Sequence, residues 1–130
     1  MTLFIHLQIK PIDQIQFQSE WVESVKTAFP EALIFEGDSH SEPYTIHHGI
    51  NFLKDTGKVM VLLECSGDEK LGATTPIIEK VLRSKYHSPL FFLKGENERF
   101  EKLAKVMKRE VLIFEGIANS IERVRNYLRD

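Results

Sequence analysis

A single cysteine, Cys65, stands in 130 residues, so no intrachain disulfide can form and a disulfide-built secreted scaffold is excluded. Long hydrophobic runs are missing too. The longest unbroken apolar stretch is Val59 to Leu63, far short of the roughly 20 residues a membrane-crossing helix needs. Neither sign of charge dominates: 17 Lys and Arg against 19 Asp and Glu give a formal net charge of −2. That balance argues against a strongly basic nucleic-acid binder and an acidic disordered tail. The opening residues, Met1 to His6, have no basic leader and no small-residue cleavage site, which predicts no signal peptide. Together these absences predict a cytoplasmic protein with neither a membrane nor a nucleic-acid partner. No linker or low-complexity tract divides the chain, so residues 1–130 are expected to form one domain.

What is present is one pattern repeated five times: a short apolar run, then a longer segment with helical spacing. The first run is Leu3 to Ile9. Pro11 or Asp13 is predicted to open a helix with Ile15, Val22, Val25 and Phe29 on one face, ended by Pro30. The second run, Ala32 to Phe35, precedes a helix capped by Thr45, striped by Ile46, Ile50 and Leu53, and closed by Gly57. The third, Val59 to Leu63, is apolar without alternation, as in a strand covered on both faces. Thr75-Pro76 then suits a cap followed by proline at the first helical position, with Ile78, Val81, Leu82 and Tyr86 at helical spacing. After the fourth run, Leu90 to Leu93, Asn97 caps a helix striped by Phe100, Leu103, Ala104 and Met107. After the fifth, Val111 to Phe114, Asn119 and Glu122 fit a capping box, and Ile121, Val124 and Leu128 complete the last helix.

Five strand–helix units in succession predict an α/β fold. Strands joined by helices run parallel with right-handed crossovers, so helices cover both faces of the sheet. A three-layer αβα domain of this length takes five parallel strands in the flavodoxin-like order 2-1-3-4-5. The short second and fifth runs are then the edges. Both end in Leu-Ile-Phe-Glu-Gly, at 33–37 and 112–116. The flanks do not extend the match, so it is read as convergence on one edge-strand solution.

Ligands of an open parallel sheet bind beyond the carboxyl ends of its strands. Acids collect in those stretches: Glu36, Asp38, Glu64, Asp68, Glu96 and Glu115. Gathered together, they suit a divalent cation or a general acid and base. Scattered, they are solvated loop residues near helix N-termini. The first turn, Lys10-Pro11-Ile12-Asp13-Gln14, has no glycine, and Pro11 removes an N–H donor. A flavin or dinucleotide held in the usual way is not expected there, and no cofactor is predicted. Gly67 to Thr74 nearly matches the phosphate-loop pattern G-x-x-x-x-G-K-[ST], but Ala73 stands in the place of the lysine. What survives is a loop with Ser66, Gly67 and Gly72, entering a helix at Thr74 or Thr75, that suits a small anion. With Glu36, Asp38 and Lys94 these residues form the candidate ligand-binding set.

His40, His47 and His48 share one loop–helix region. Adjacent His47 and His48 point in different directions, and the spacing fits no compact metal motif; no metal is expected. His6, inside the first strand, and His87, before the fourth, read as packing or surface residues. Cys65 follows a buried strand, a reasonable place for a nucleophile, but no Gly-x-Cys-x-Gly or Gly-x-Ser-x-Gly elbow surrounds it. It reads as a small hydrophobe. Charge divides between the halves: residues 1–65 carry 4 basic and 9 acidic side chains, residues 66–130 carry 13 and 10. Lys102, Lys105, Lys108 and Arg109 cluster on the fourth helix, and Lys80, Arg83 and Lys85 on the third. Glu98–Lys102 and Glu101–Lys105 are i,i+4 pairs. Such a face is able to steer an acidic partner or a second copy of the chain.

The order and length of the elements resemble a response-regulator receiver domain, with a local echo in Val61-Leu62-Leu63-Glu64, Pro89-Leu90-Phe91-Phe92-Leu93 and the final helix. The receiver's own residues do not carry over. Lys10-Pro11 replaces the acidic pair after strand one, and Glu64 stands at the phosphoacceptor aspartate. Lys94 replaces the serine or threonine after strand four, and Glu115 the lysine after strand five. The resemblance implies a pseudo-receiver that takes no phosphate, with Glu64 mimicking a permanent charge and protein partners docking on helical faces. A second resemblance is to nucleoside deoxyribosyltransferase-like and TIR-like folds, through Val59–Leu63, Gly67–Gly72, Glu79 and Ser88-Pro89-Leu90. It implies Glu79 as the residue contacting an anomeric carbon, under a lid formed by residues 67–72. The expected function is therefore a non-catalytic signalling or protein-interaction module, for which a homodimer is one arrangement. The alternative is a small nucleoside- or nucleotide-binding enzyme, with Glu64 and Glu79 as the candidate catalytic acids.

Overall fold

From Leu3 to Ile9 every side chain of the first strand is buried. A strand buried on both faces needs a layer on each side. The computed structural model describes residues 1–67, 69–84 and 88–129 and supplies both layers. Five strands, β1 (Thr2–Ile9), β2 (Leu33–Asp38), β3 (Lys58–Cys65), β4 (Leu90–Lys94) and β5 (Val111–Ile113), pair in parallel in the order β2-β1-β3-β4-β5. The helices are α1 (Glu20–Ala28), α2 (Pro43–Phe52), α3 (Thr75–Leu82), α4 (Glu98–Val106) and α5 (Ile117–Arg129). This is the expected three-layer flavodoxin-like arrangement, with β2 and β5 at the edges.

Alternation along the strands sends side chains to two separate cores. Leu3, Ile5, Leu7, Val59, Val61, Leu63 and Phe91 pack under α2, α3 and α4. Phe4, Met60, Leu62 and Phe92 pack under α1 and α5, with Trp21, Val25 and Val124. Trp21 links the two helices of this layer: its indole N–H donates to Ser120 Oγ at 3.1 Å.

Four helix starts differ from expectation, α3 by a single residue: Thr74 is its N-cap, so Thr75 opens the helix and Pro76 follows. Residues 12–14 make only a short 3-10 turn, and α1 begins at Glu20 behind Ser19, whose hydroxyl accepts from the Val22 N–H at 3.3 Å. The intervening chain is tied to β1 instead. Gln8 accepts from the Gln16 N–H at 2.9 Å and donates to the Gln16 carbonyl at 2.6 Å, using the groups a helix would need. Helix α2 starts at Pro43, with Glu42 at the N-cap, so Thr45 lies within its first turn; proline's missing N–H costs nothing there. Helix α5 starts at Ile117, which places Asn119 and Glu122 inside it. At α4 the expectation holds: Asn97 caps the helix by accepting from the Phe100 N–H at 2.9 Å. Arg109 is no part of a solvated basic face, since its guanidinium donates to the Leu82 carbonyl at 3.0 Å and also to that of Ser84. Asp68, Lys85, Tyr86 and His87 lie outside the described residues.

Candidate ligand cleft at the carboxyl end of the sheet

The face under α1 and α5 turns polar at one level across three neighbouring strands. On β1 the series Phe4, His6, Gln8 continues to Lys10 just past the strand. On β3, Glu64 follows Met60 and Leu62, and on β4, Lys94 follows Phe92. The parallel register sets Gln8 beside Glu64 and Glu64 beside Lys94. Helix α1 begins too late to cover this level, and the preceding residues, Asp13 to Gln18, line it instead. The result is an opening at the β1/β3 boundary, where the strand order reverses and open α/β sheets bind ligands.

Glu64 is at the centre and only 7% exposed. Its Oε1 accepts from His6 Nε2 at 3.0 Å and its Oε2 accepts from Lys10 Nζ at 3.0 Å. Burial acts to raise the carboxyl pKa, but the hydrogen bonds and charges of His6 and Lys10 outweigh it and bring the value down to about 2. An ionised carboxylate only accepts, so Nε2 carries the proton in the His6 bond. The other ring nitrogen, Nδ1, is buried with no hydrogen-bond partner, and the imidazole leans on the Trp21 ring at 5.6 Å between centroids. The Lys10 backbone is fixed as well: its carbonyl accepts from Ser39 Oγ at 3.2 Å and lies 2.8 Å from His40 Nε2.

Two adjoining clefts open above this network. One, of about 600 Å³, runs between Lys10, Asp13, Gln14, Ser66 and Lys94, with Glu64 and Cys65 among its walls. The other, of about 450 Å³, lies between Phe17, Trp21, Phe114 and Ile117. Gln16, Glu64 and Lys94 belong to both. Ser66 donates to Gln14 Oε1 at 2.9 Å, closing one side. Lys94 forms no ion pair among the described residues, although Glu64 is its register neighbour; both oxygens of Glu64 are already engaged. Its ammonium stands 5.6 Å from the centroid of the Phe114 ring. Gly95 permits the strand ends to come this close. Its φ is +87°, and a Cβ there would lie 2.2 Å from the Cys65 carbonyl oxygen. Burial, with the charges of Glu101 and Glu64, pushes the Cys65 thiol up to about 12 against a weaker pull from Lys10. A thiol held that high is a poor nucleophile near neutral pH.

Of the residues singled out from the sequence, the fold brings together Glu64, Ser66 and Lys94 and disperses the others. Glu36 is exposed on edge strand β2. Asp38 accepts from the His40 N–H at 2.7 Å within its own turn. Gly67 faces open space. Gly72 has φ +55° and lies so close to the Ser39 carbonyl that a Cβ would come within 2.4 Å of it, which is a packing role. Thr74 is buried and spends its hydroxyl on the Leu71 carbonyl at 2.6 Å, not on a ligand. Glu79 is half-exposed on α3, on the other side of the sheet, and lines neither cleft. Among the described residues no three His, Cys, Asp or Glu converge as metal ligands. His6, expected as a packing or surface residue, belongs to the network instead, and Gln8 and Gln16, which the sequence did not single out, join it. Their signal was the alternation of His6, Gln8 and Lys10 within a strand otherwise apolar on both faces.

No protein-family model matches this chain, and no curated protein matches it.

Proposed function

We propose that the chain is a non-catalytic recognition module, of the signalling or protein-interaction kind, with the cleft over β1, β3 and β4 as its recognition site. The observation that carries this reading is the commitment of Glu64, whose two oxygens are taken by His6 and Lys10. A general acid or base works best with a pKa near the operating pH. Glu64, at about 2, is too weak a base and too fully ionised an acid. The neighbouring thiol is displaced the other way, to about 12. In the pseudo-receiver picture Glu64 is then a neutralised strut joining β1 to β3, not a charge offered to a partner. At the rim, Phe17 stands in solvent, in keeping with a surface that meets a partner. The nucleoside-enzyme alternative draws no support from Glu79, which is remote from the cleft.

The test has two arms. The purified protein is incubated with nucleosides, nucleotides and sugar phosphates and followed by NMR; no conversion is expected. Peptides selected by display are then titrated into 15N-labelled protein, and the perturbed amides are expected to ring the cleft. Conversion that disappears in Glu64→Gln or Glu79→Gln overturns the reading.

A further inference from the structure

We propose that the cleft recognises a singly charged carboxylate carried beside an apolar or aromatic group. The proposal rests on the recognition-module reading and names the chemistry of what that module binds.

The charge arithmetic of the walls comes first. Lys10 and Glu64 cancel one another across 3.0 Å. Lys94 is left as the cation in the shared wall with no ion pair among the described residues. Counted together the walls hold Lys10 and Lys94 against Asp13, Glu20 and Glu64, so the attraction for an anion is local to Lys94 and suits a single negative charge. Asp13 lines the first cleft and Glu20 the second. Both repel a dianionic phosphate more strongly than a carboxylate. Uncharged donors are also at hand. Gln14 receives the Ser66 hydroxyl on its Oε1, which leaves its amide N–H groups for a ligand oxygen.

The apolar half of the ligand follows from the rings around Lys94. The Phe114 ring lies beneath its ammonium. Phe17, at 88% exposed, lines the same cleft. An aromatic side chain this bare gains by being covered. Its exposure is also imposed from within. Buried Gln8 grips both backbone polar groups of Gln16, fixing the residue next to Phe17. A cation backed by one ring, in a cleft that a second, bare ring also lines, matches an aryl or alkyl carboxylate, either as a free acid or as an acidic side chain beside an apolar one.

The experiment is an amide NMR titration of the 15N-labelled full chain with phenylacetate, inorganic phosphate and the blocked dipeptide acetyl-Asp-Phe-amide. Saturable shifts at Gln16, Phe17, Lys94 and Ile117 are expected from phenylacetate or the dipeptide, and whichever binds more tightly identifies the source. Lys94→Met is expected to weaken binding by about tenfold or more, and Phe17→Ser by several-fold, with melting temperatures unchanged because both side chains are exposed. The proposal is overturned if neither carboxylate shifts the cleft amides at millimolar concentration. It is equally overturned if phosphate binds as tightly as the carboxylates, or if Lys94→Met binds like the parent. Chemical conversion of a probe would instead sink the non-catalytic reading and leave the carboxylate site standing.

Discussion

Glu64 is an acid inside a sheet core, and its two partners decide what it contributes. An unpaired carboxylate at that depth would lose its charge; here it stays ionised, with its pKa brought down from 4.5 to about 2. A depressed native pKa contributes stability above the unfolded value, and that contribution is lost as pH falls from 4.5 towards 2. The difference corresponds to about 3 kcal/mol, so urea melts should lose roughly that much between pH 6 and pH 2 from this group. In Glu64→Gln the low-pH loss should largely vanish. The variant should itself be less stable by about 2–3 kcal/mol at pH 7, because Lys10 is left unpaired. Adding Lys10→Met should restore part of that loss. Cys65 makes a second residue-level prediction. With the native thiol at about 12 against 9 for an ordinary one, its thiolate population at pH 8 is lower by roughly a thousandfold. Alkylation by iodoacetamide should be far slower in the folded protein than in urea. Equal rates would show that the thiol is not shifted as described.

At the scale of elements, a side chain caps two of the helices, Ser19 at α1 and Asn97 at α4. Asn97 caps α4 and also donates to the Glu69 carbonyl at 2.9 Å, tying two sheet-end loops together. Asn97→Ala should cost about 1–2 kcal/mol in chemical denaturation. Gly95 carries the sharper constraint, because any Cβ there collides with the Cys65 carbonyl. Gly95→Ala should cost more than about 2 kcal/mol and perturb the amide of Lys94. The cap at Asn97 was legible from type and spacing alone, since its partner is three residues along the same helix. The start of α1 was not. Pro11 and Asp13 are sound local signals, but Gln8 takes the backbone groups of Gln16 and holds the chain open until Ser19. A local signal loses to a partner eight residues away, the side chain of buried Gln8. At α5 the start is local: the Gly116 carbonyl accepts from the Ser120 N–H at 3.1 Å, and Asn119 lies inside the helix.

For the whole molecule, the asymmetry of the sheet sets how it opens. Strands β1 and β3 are eight residues long and covered on both faces; β5 has three residues and is only half-buried. Amide exchange should therefore be slowest in β1 and β3 and fastest in β5, and uniform protection across the sheet would contradict this. The architecture was open to reading because it follows from period and order. Apolar runs at regular intervals, joined by helical stripes, admit few arrangements besides a parallel sheet covered on both faces. Run length alone does not place the edges: the fourth run, Leu90 to Leu93, is as short as the second and fifth, yet β4 lies inside the sheet. The site was only partly legible. Glu64, Ser66 and Lys94 follow strands, where ligand-facing residues belong, and they do meet. Glu36, Gly72, Thr74 and Glu79 carried signals of the same strength, and the fold sends them elsewhere. Sequence by itself determined which residues face which core and at which end of the sheet chemistry can lie, because strand alternation and connection rules act over a few residues. The tertiary structure alone decided that Glu64 is paired while Lys94 has no ion pair among the described residues. That choice depends on the register of β1 against β3, which brings His6 and Lys10 to the same carboxylate across 58 and 54 residues of chain.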